Sequence, residues 1–161
     1  MKEEHIENLV RGYPGLFGID PSFPLLGSKY GKKYFYPDST IPDALFRDDN
    51  KGESVVVEIK DDPLKSGDLQ QLRDYLEQEH LERPAHNIRG VLVGLLSTVI
   101  DDLDAAMADL PWPVEIKCLV RDFSMSVRIC DQCSNAYWPR ESSCPRCRNT
   151  TYHLVSFDQD R

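Results

Sequence analysis

Four cysteines in two Cys-x-x-Cys pairs, Cys130 with Cys133 and Cys144 with Cys147, prescribe chemistry most directly in this 161-residue chain. Two thiolate pairs separated by ten residues suit a tetrahedral site for one structural Zn²⁺. Residues 128–157 are too few to bury a core of their own, so the metal would supply much of that segment's folding free energy. A second constellation lies upstream, where Glu58 and Lys60 end the run Val55, Val56, Val57 and Asp43 sits in the preceding apolar segment. Strand side chains alternate, so Val55, Val57 and Ile59 face one way and Val56, Glu58 and Lys60 the other, with Glu58 and Lys60 about 6 to 7 Å apart. An acid and a lysine placed there either reach solvent or share a site. Two carboxylates beside a lysine suit phosphodiester hydrolysis. The acids hold Mg²⁺ or Mn²⁺ through oxygen, the cation polarises the phosphate and activates water, and the lysine orients that water or offsets developing charge. A bare Glu-x-Lys triplet, taken alone, reads more simply as a solvated ion pair at a strand end.

The surrounding elements must bring these groups together. Ile6, Leu9 and Val10 predict a helix over residues 2–11, closed by Pro14 and Gly15. Residues 12–40, rich in Gly, Pro, Tyr and Lys, predict loop with at most one irregular strand. Residues 41–46 and 54–60 predict a strand pair around a polar turn ending in Gly52. A helix over 69–81 follows, capped by Ser66 or Asp68 and striped by Leu69, Leu72 and Leu76. The apolar run 88–96 predicts a strand covered on both faces, followed by a helix over 98–110 and a strand over 114–120. This β-β-α-β-α-β order predicts an α/β fold, a mixed central sheet flanked by helices. The expected division is a domain of residues 1–124 and a small C-terminal four-cysteine zinc ribbon with its tail, residues 125–161.

Charge narrows the function. The net charge of −8 excludes a protein whose bulk field steers it to polyanions. Residues 1–127 hold 14 Lys and Arg against 23 Asp and Glu, and residues 128–161 hold 5 against 4. Nucleic acid would need a local basic patch. One candidate combines Arg128, Arg140, Arg146 and Arg148 with exposed Tyr137 and Trp138, able to touch phosphates and stack on bases. Another combines Lys29, Lys32 and Lys33 with Tyr30 and Tyr34. The longest apolar run, Val91 to Leu96, is too short to span a bilayer, so no membrane partner is expected. The acidic N-terminus lacks the features of a secretory signal, and a cytoplasmic location is expected. Cys118 reads as a small buried hydrophobe in a strand, and His5, His80, His86 and His153 as surface or packing residues.

Glu7 in the first helix, Pro42-Asp43, Glu58-Ile59-Lys60, then Gln71 and Tyr75 in the next helix together resemble the PD-(D/E)xK nuclease superfamily. Within it, residues 4–120 resemble the EndoMS/NucS-like, RecB-like nuclease domain, and residues 128–157 resemble a zinc ribbon. The resemblance implies a restriction-endonuclease-like core acting as a Mg²⁺- or Mn²⁺-dependent endonuclease, with DNA as substrate. It implies Asp43 and Glu58 as metal ligands, the Ile59 backbone carbonyl as a third and Lys60 as the catalytic lysine. Glu7 would help bind or orient the metal and its waters. Gln71 and Tyr75, one helical turn apart, would position the site or the nucleic-acid backbone. Asp38, in a second Pro-Asp pair, rivals Asp43, which is preferred because Ile41, Leu45 and Phe46 around it indicate a strand. Asp61 and Asp62 stand where the family usually carries Lys and Arg. A homodimer, a partner subunit or the zinc module would then supply positive charge. The alternative is a non-catalytic nucleic-acid-binding or complex-assembly module that uses the ribbon for recognition.

Overall fold

Alternation in the Val-rich strand sets the architecture, because both of its faces are buried. The computed structural model describes residues 3–95, 100–119 and 125–157. The chain runs through α1 (Glu3–Gly12), a short 3-10 helix (Pro14–Phe17), β1 (Leu25–Ser28), β2 (Ala44–Asp48), β3 (Glu53–Pro63), α2 (Ser66–Glu82), β4 (Asn87–Leu95), α3 (Ile100–Ala108) and β5 (Val114–Leu119). These strands form one sheet in the order β1-β2-β3-β4-β5. β1, β2 and β3 pair antiparallel, whereas β4 joins β3 and β5 joins β4 in parallel. The expected mixed sheet is therefore present, with β1 as the irregular strand of the 12–40 segment, its register shifting between Leu25 and Gly27. The expected element ends at Leu96, Thr98 and Val120 lie outside the described residues.

One face of the sheet, with Phe46, Val55, Val57, Ile59, Val91 and Val93, packs on Ile6, Val10, Leu16 and Phe17. The other, with Leu45, Val56 and Leu92, packs on Leu69, Leu72, Leu76 and Leu103 of α2 and α3. β4 is thus covered on both sides, as its apolar run predicts. Cys118 departs from expectation: it lies on β5, which among the described residues is an edge strand, and is exposed. No helix among the described residues is long and apolar enough to cross a membrane.

α2 begins at Ser66 after Lys65, which has no capping side chain of its own. Asp68 works from inside the first turn instead, accepting the Lys65 N–H at 2.9 Å. The other end of α2 is fixed by a buried charge network that the leucine stripe does not reveal. Arg47 of β2 donates to Glu79 through Nε and Nη2, both at 2.8 Å, and its Nη2 reaches Glu82 at 2.7 Å. Glu79 also accepts from Tyr36 OH at 3.0 Å and Ser54 Oγ at 2.8 Å. This network fixes α2 against the β2–β3 hairpin, and with it the elements carrying the charged candidates.

A second sheet, in the order β7-β6-β8, is formed by β6 (Met125–Cys130), β7 (Ala136–Tyr137) and β8 (Tyr152–Phe157), all antiparallel. Val127, Ile129 and Ala136 join the cluster of α1 and the 3-10 helix, so the second sheet shares the first core. Trp138 Nε1 donates to Leu16 O at 3.2 Å. A Cβ at Gly15 would meet Asn135 Oδ1 at 2.2 Å and Ala136 O at 2.9 Å, so only glycine admits this approach.

Arg47→Met leaves the buried Glu79 without its counter-charge and is expected to cost about 3–5 kcal/mol, whereas adding Glu79→Leu recovers most of that loss. Denaturant unfolding checks both. A double variant no more stable than Arg47→Met contradicts the pairing.

Candidate active site and metal centre

Register brings the two acids together. Ala44 pairs with Val57, which places Asp43, just before β2, opposite Glu58. Asp43 is a bend residue rather than part of the expected strand, and its Oδ2 accepts the Ile59 N–H at 2.7 Å. Asp38 does not share the site: it is exposed in a turn, accepting the Thr40 N–H at 3.0 Å. β3 loses register with β4 between Ile59 and Pro63, so the strand departs from regular pairing at Lys60. Such an irregularity re-aims a side chain at a strand end. Lys60 Nζ lies 2.8 Å from Glu58 Oε1 and donates to Gln71 Oε1 at 2.8 Å, while Gln71 Nε2 reaches Tyr75 OH at 3.1 Å. Five of the six expected catalytic residues, Asp43, Glu58, Lys60, Gln71 and Tyr75, therefore form one connected group.

The electrostatics of this group are unusual. Asp43 and Glu58 are 4% and 1% exposed. Burial pushes Glu58 far above the ordinary carboxylate range, and the charge of Asp43 adds to the shift against the opposing pull of Lys60. Burial likewise raises Asp43, although the Ile59 N–H opposes it. Both Glu58 oxygens are shielded from solvent, and among the described residues the Lys60 ammonium, 2.8 Å from Oε1, approaches them without ideal hydrogen-bond alignment.

Glu7 and Lys29 take places that sequence alone did not assign. Glu7 is 1% exposed, accepts the Tyr30 N–H on both carboxylate oxygens at 3.1 and 3.0 Å, and faces Arg11 Nε at 3.6 Å. It anchors the loop after β1. Lys29 of that loop, expected to contact nucleic acid, hydrogen-bonds Glu3 at 2.7 Å, which holds its pKa above the ordinary range. It also stands 4.0 Å from Asp43 Oδ1. Glu3 was missed; its spacing of four from Glu7 on one helix face was the available signal. Lys32 and Lys33 are exposed.

The four cysteine sulfurs lie within 4.8 Å of one another, the one group of three or more potential ligand side chains among the described residues. Cys130 to Cys147 and Cys133 to Cys144 are 3.5 and 3.6 Å apart, close to the roughly 3.8 Å that Zn–S bonds of about 2.3 Å give in a tetrahedron. The two halves repeat each other. Ser134 and Arg148, after each second cysteine, adopt positive φ of 60° and 67°. Asn135 Nδ2 points to Cys144 Sγ and Asn149 Nδ2 to Cys130 Sγ, each at 3.8 Å. Burial pushes Cys130 and Cys144 up, but the N–H groups of Cys133 and Gln132 on one, and of Cys147 and Arg146 on the other, outweigh it and hold both thiols below their ordinary range. The doubled Cys-x-x-Cys-x-Asn pattern was the overlooked sequence signal for the asparagines.

The expected nucleic-acid residues of the cysteine segment are dispersed. Tyr137 is 2% exposed, packed against Cys130 and Cys144, and so cannot offer its ring to a base. Trp138 is half-buried and, through its bond to Leu16, ties the segment after β7 to the 3-10 helix. Arg146 pairs with Asp20 at 3.4 Å, Arg128 lies over the Tyr152 ring at 4.2 Å, and Arg140 and Arg148 are exposed.

No protein-family model and no curated protein matches the chain. Solved structures match it in fold. EndoMS in a complex with double-stranded DNA superposes with a TM-score of 0.55 at 22% identity, covering 73% of this chain and 44% of that one. EndoMS in apo form gives 0.51 at 21%, covering 76% and 48%. A repair endonuclease from Pyrococcus abyssi gives 0.53 at 20%, also covering 76% and 48%. The chain spans less than half the length of each. At these identities the likeness establishes the fold, which the chain shares with these endonucleases.

A carboxylate raised by burial binds its proton more tightly folded than unfolded. Its contribution to stability is therefore complete below the ordinary value of 4.5 and is lost as pH rises from there. Without divalent cation, the stability of wild type relative to Glu58→Gln is expected to fall with rising pH. Unfolding midpoints at several pH values check this, and a flat or rising difference contradicts it.

Proposed function

We propose that the chain is a Mg²⁺- or Mn²⁺-dependent nuclease of the PD-(D/E)xK type that hydrolyses phosphodiester bonds in DNA. The observation that carries this reading is Glu58, a carboxylate 1% exposed beside a second buried carboxylate, with the Lys60 ammonium 2.8 Å from its Oε1. An oxygen donor set of this kind suits a hard divalent cation, which would satisfy those oxygens. Asp43, Glu58 and the Ile59 backbone carbonyl would hold it. When bound, the cation polarises the scissile phosphate and lowers the pKa of a water.

The chain's own residues do the rest. Lys60, between Glu58 and Gln71, keeps its ammonium where charge develops on the phosphate and orients the attacking water. Gln71, braced by Tyr75, sets the position of that lysine. Glu7 orients the site through the Tyr30 backbone and Lys29. Likeness of fold to EndoMS with double-stranded DNA and to a repair endonuclease supports DNA as the substrate.

The same reading makes residues 1–124 the nuclease-like domain and 125–161 a zinc ribbon with its tail, in which Cys130, Cys133, Cys144 and Cys147 hold Zn²⁺. The chain is acidic, and exposed Asp61 and Asp62 follow Lys60. A second copy, a partner subunit, or Arg140, Arg146 and Arg148 of the ribbon then supplies the remaining positive charge. That acidity is also the observation favouring the second reading, a nucleic-acid-binding module on the same fold.

Zinc-loaded protein with Mg²⁺ or Mn²⁺ is expected to cut at least one of labelled single-stranded, duplex and branched DNA. Glu58→Ala and Lys60→Ala should each lower the rate by roughly a hundredfold or more. Folded, zinc-loaded protein that cuts none of these, and binds them unchanged after either substitution, would establish the binding module instead.

A further inference from the structure

Between Asp20 and Asp38 the chain carries no acidic residue, only Lys29, Lys32 and Lys33 together with Phe23, Tyr30, Tyr34, Phe35 and Tyr36. In a protein of net charge −8 this is a local reversal of sign. The structure sorts the aromatics. Phe23 and Tyr36 are buried, and Tyr34 turns inward, its ring 5.1 Å from the Arg47 guanidinium and its hydroxyl on Glu82. Tyr30 and Phe35 turn outward, 46% and 60% exposed, and bracket the exposed Lys32 and Lys33 in sequence.

The backbone bearing these rings is held in place. Ser28 N–H donates to Lys32 O at 2.9 Å, Lys29 N–H to Asp43 O at 3.0 Å and Tyr36 N–H to Thr40 O at 2.9 Å. The Tyr30 N–H is fixed by Glu7. A Cβ at Gly27 would lie 2.7 Å from Tyr34 Cβ, so glycine there is what lets the loop after β1 fold back against it. Two large rings thus stand at the surface of an ordered loop that touches both Asp43 and Glu7, Tyr30 with the Lys29 ammonium 5.4 Å from its ring centroid.

We propose that this loop is a stacking platform for unpaired nucleotides, Tyr30 and Phe35 taking base faces and Lys32 and Lys33 the adjoining phosphates. A duplex keeps its base faces stacked inside the helix and presents phosphates, whereas single-stranded DNA offers both. Rings paired with lysines gain from the single strand alone, and they tolerate any sequence because every base has a face to stack. The placement of this platform beside a scissile bond rests on the nuclease reading; its preference for unpaired bases does not.

The test is fluorescence anisotropy of a labelled single-stranded oligonucleotide and a blunt duplex of equal length. The full, zinc-loaded chain carries Glu58→Ala, so that cleavage plays no part. The single strand is expected to bind more tightly than the duplex. Tyr30→Ala with Phe35→Ala should weaken single-strand binding at least about fivefold while leaving duplex affinity unchanged. Phe35→Trp should retain it, which separates stacking from damage to the loop. Lys32→Ala with Lys33→Ala should weaken both substrates and flatten the salt dependence. Preference for duplex, equal aromatic losses on both substrates, or no loss overturns the proposal. Self-association of the parent protein that the aromatic substitutions abolish also overturns it, marking the surface as a protein interface. Because affinity is read in a cleavage-silent protein, failure of the nuclease reading leaves this result unaffected.

Discussion

Two carboxylates side by side, both nearly withdrawn from water, constrain everything around them. Removing an ionised carboxylate from solvent costs several kcal/mol even after relaxation, and a like charge beside it adds to that cost. Asp43 offsets part of it through the Ile59 N–H, and Glu58 part of it through the nearby Lys60 ammonium. What remains is met by a shared proton or by a cation. The sheet register, the break in β3 at Lys60 and the loop carrying Lys29 all converge on this pair. The Arg47–Glu79 network fixes α2 on the same hairpin, so that Gln71 meets the lysine.

The cysteine cluster is joined to that scaffold rather than hung from it. Its sheet contributes Val127, Ile129 and Ala136 to the core that also buries Ile6 and Val10 of α1. Asn135 faces both ways, toward Cys144 Sγ and against Gly15. Since α1 carries Glu3 and Glu7, folding of the cysteine segment and order at the acidic site are connected through packed residues. The crossed asparagines add donors to two sulfurs, which favours the thiolate form that a metal requires.

Much of this was legible in the residues. Periodicity located both long helices and the covered strand β4, because apolar spacing there answers to burial alone. The Val-rich strand announced its two faces, and the Glu58-x-Lys60 and Pro42-Asp43 pairs indicated the acidic site. What escaped depends on partners distant in sequence. Glu79 looks like one more solvent-facing acid of α2, and only the arrival of Arg47 from β2 buries it. Tyr137 and Trp138 read as exposed aromatics because nothing local reveals that the second sheet docks on the 3-10 helix. Asp43 ends up one residue outside its strand because its side chain bonds the Ile59 backbone. Cys118 reads as buried from its strand-like neighbours yet lies on an edge strand among the described residues, a matter of sheet order rather than of local sequence.

The most direct test of the central claim is a Mn²⁺ titration of the zinc-loaded protein, followed by electron paramagnetic resonance, for wild type, Asp43→Ala and Glu58→Ala. The expected result is one Mn²⁺ bound per chain in wild type, with proton release on binding and with binding lost in both variants. Zinc-loaded, folded wild type that binds no Mn²⁺, or binds it equally well without either carboxylate, would contradict a divalent-metal site at Asp43 and Glu58.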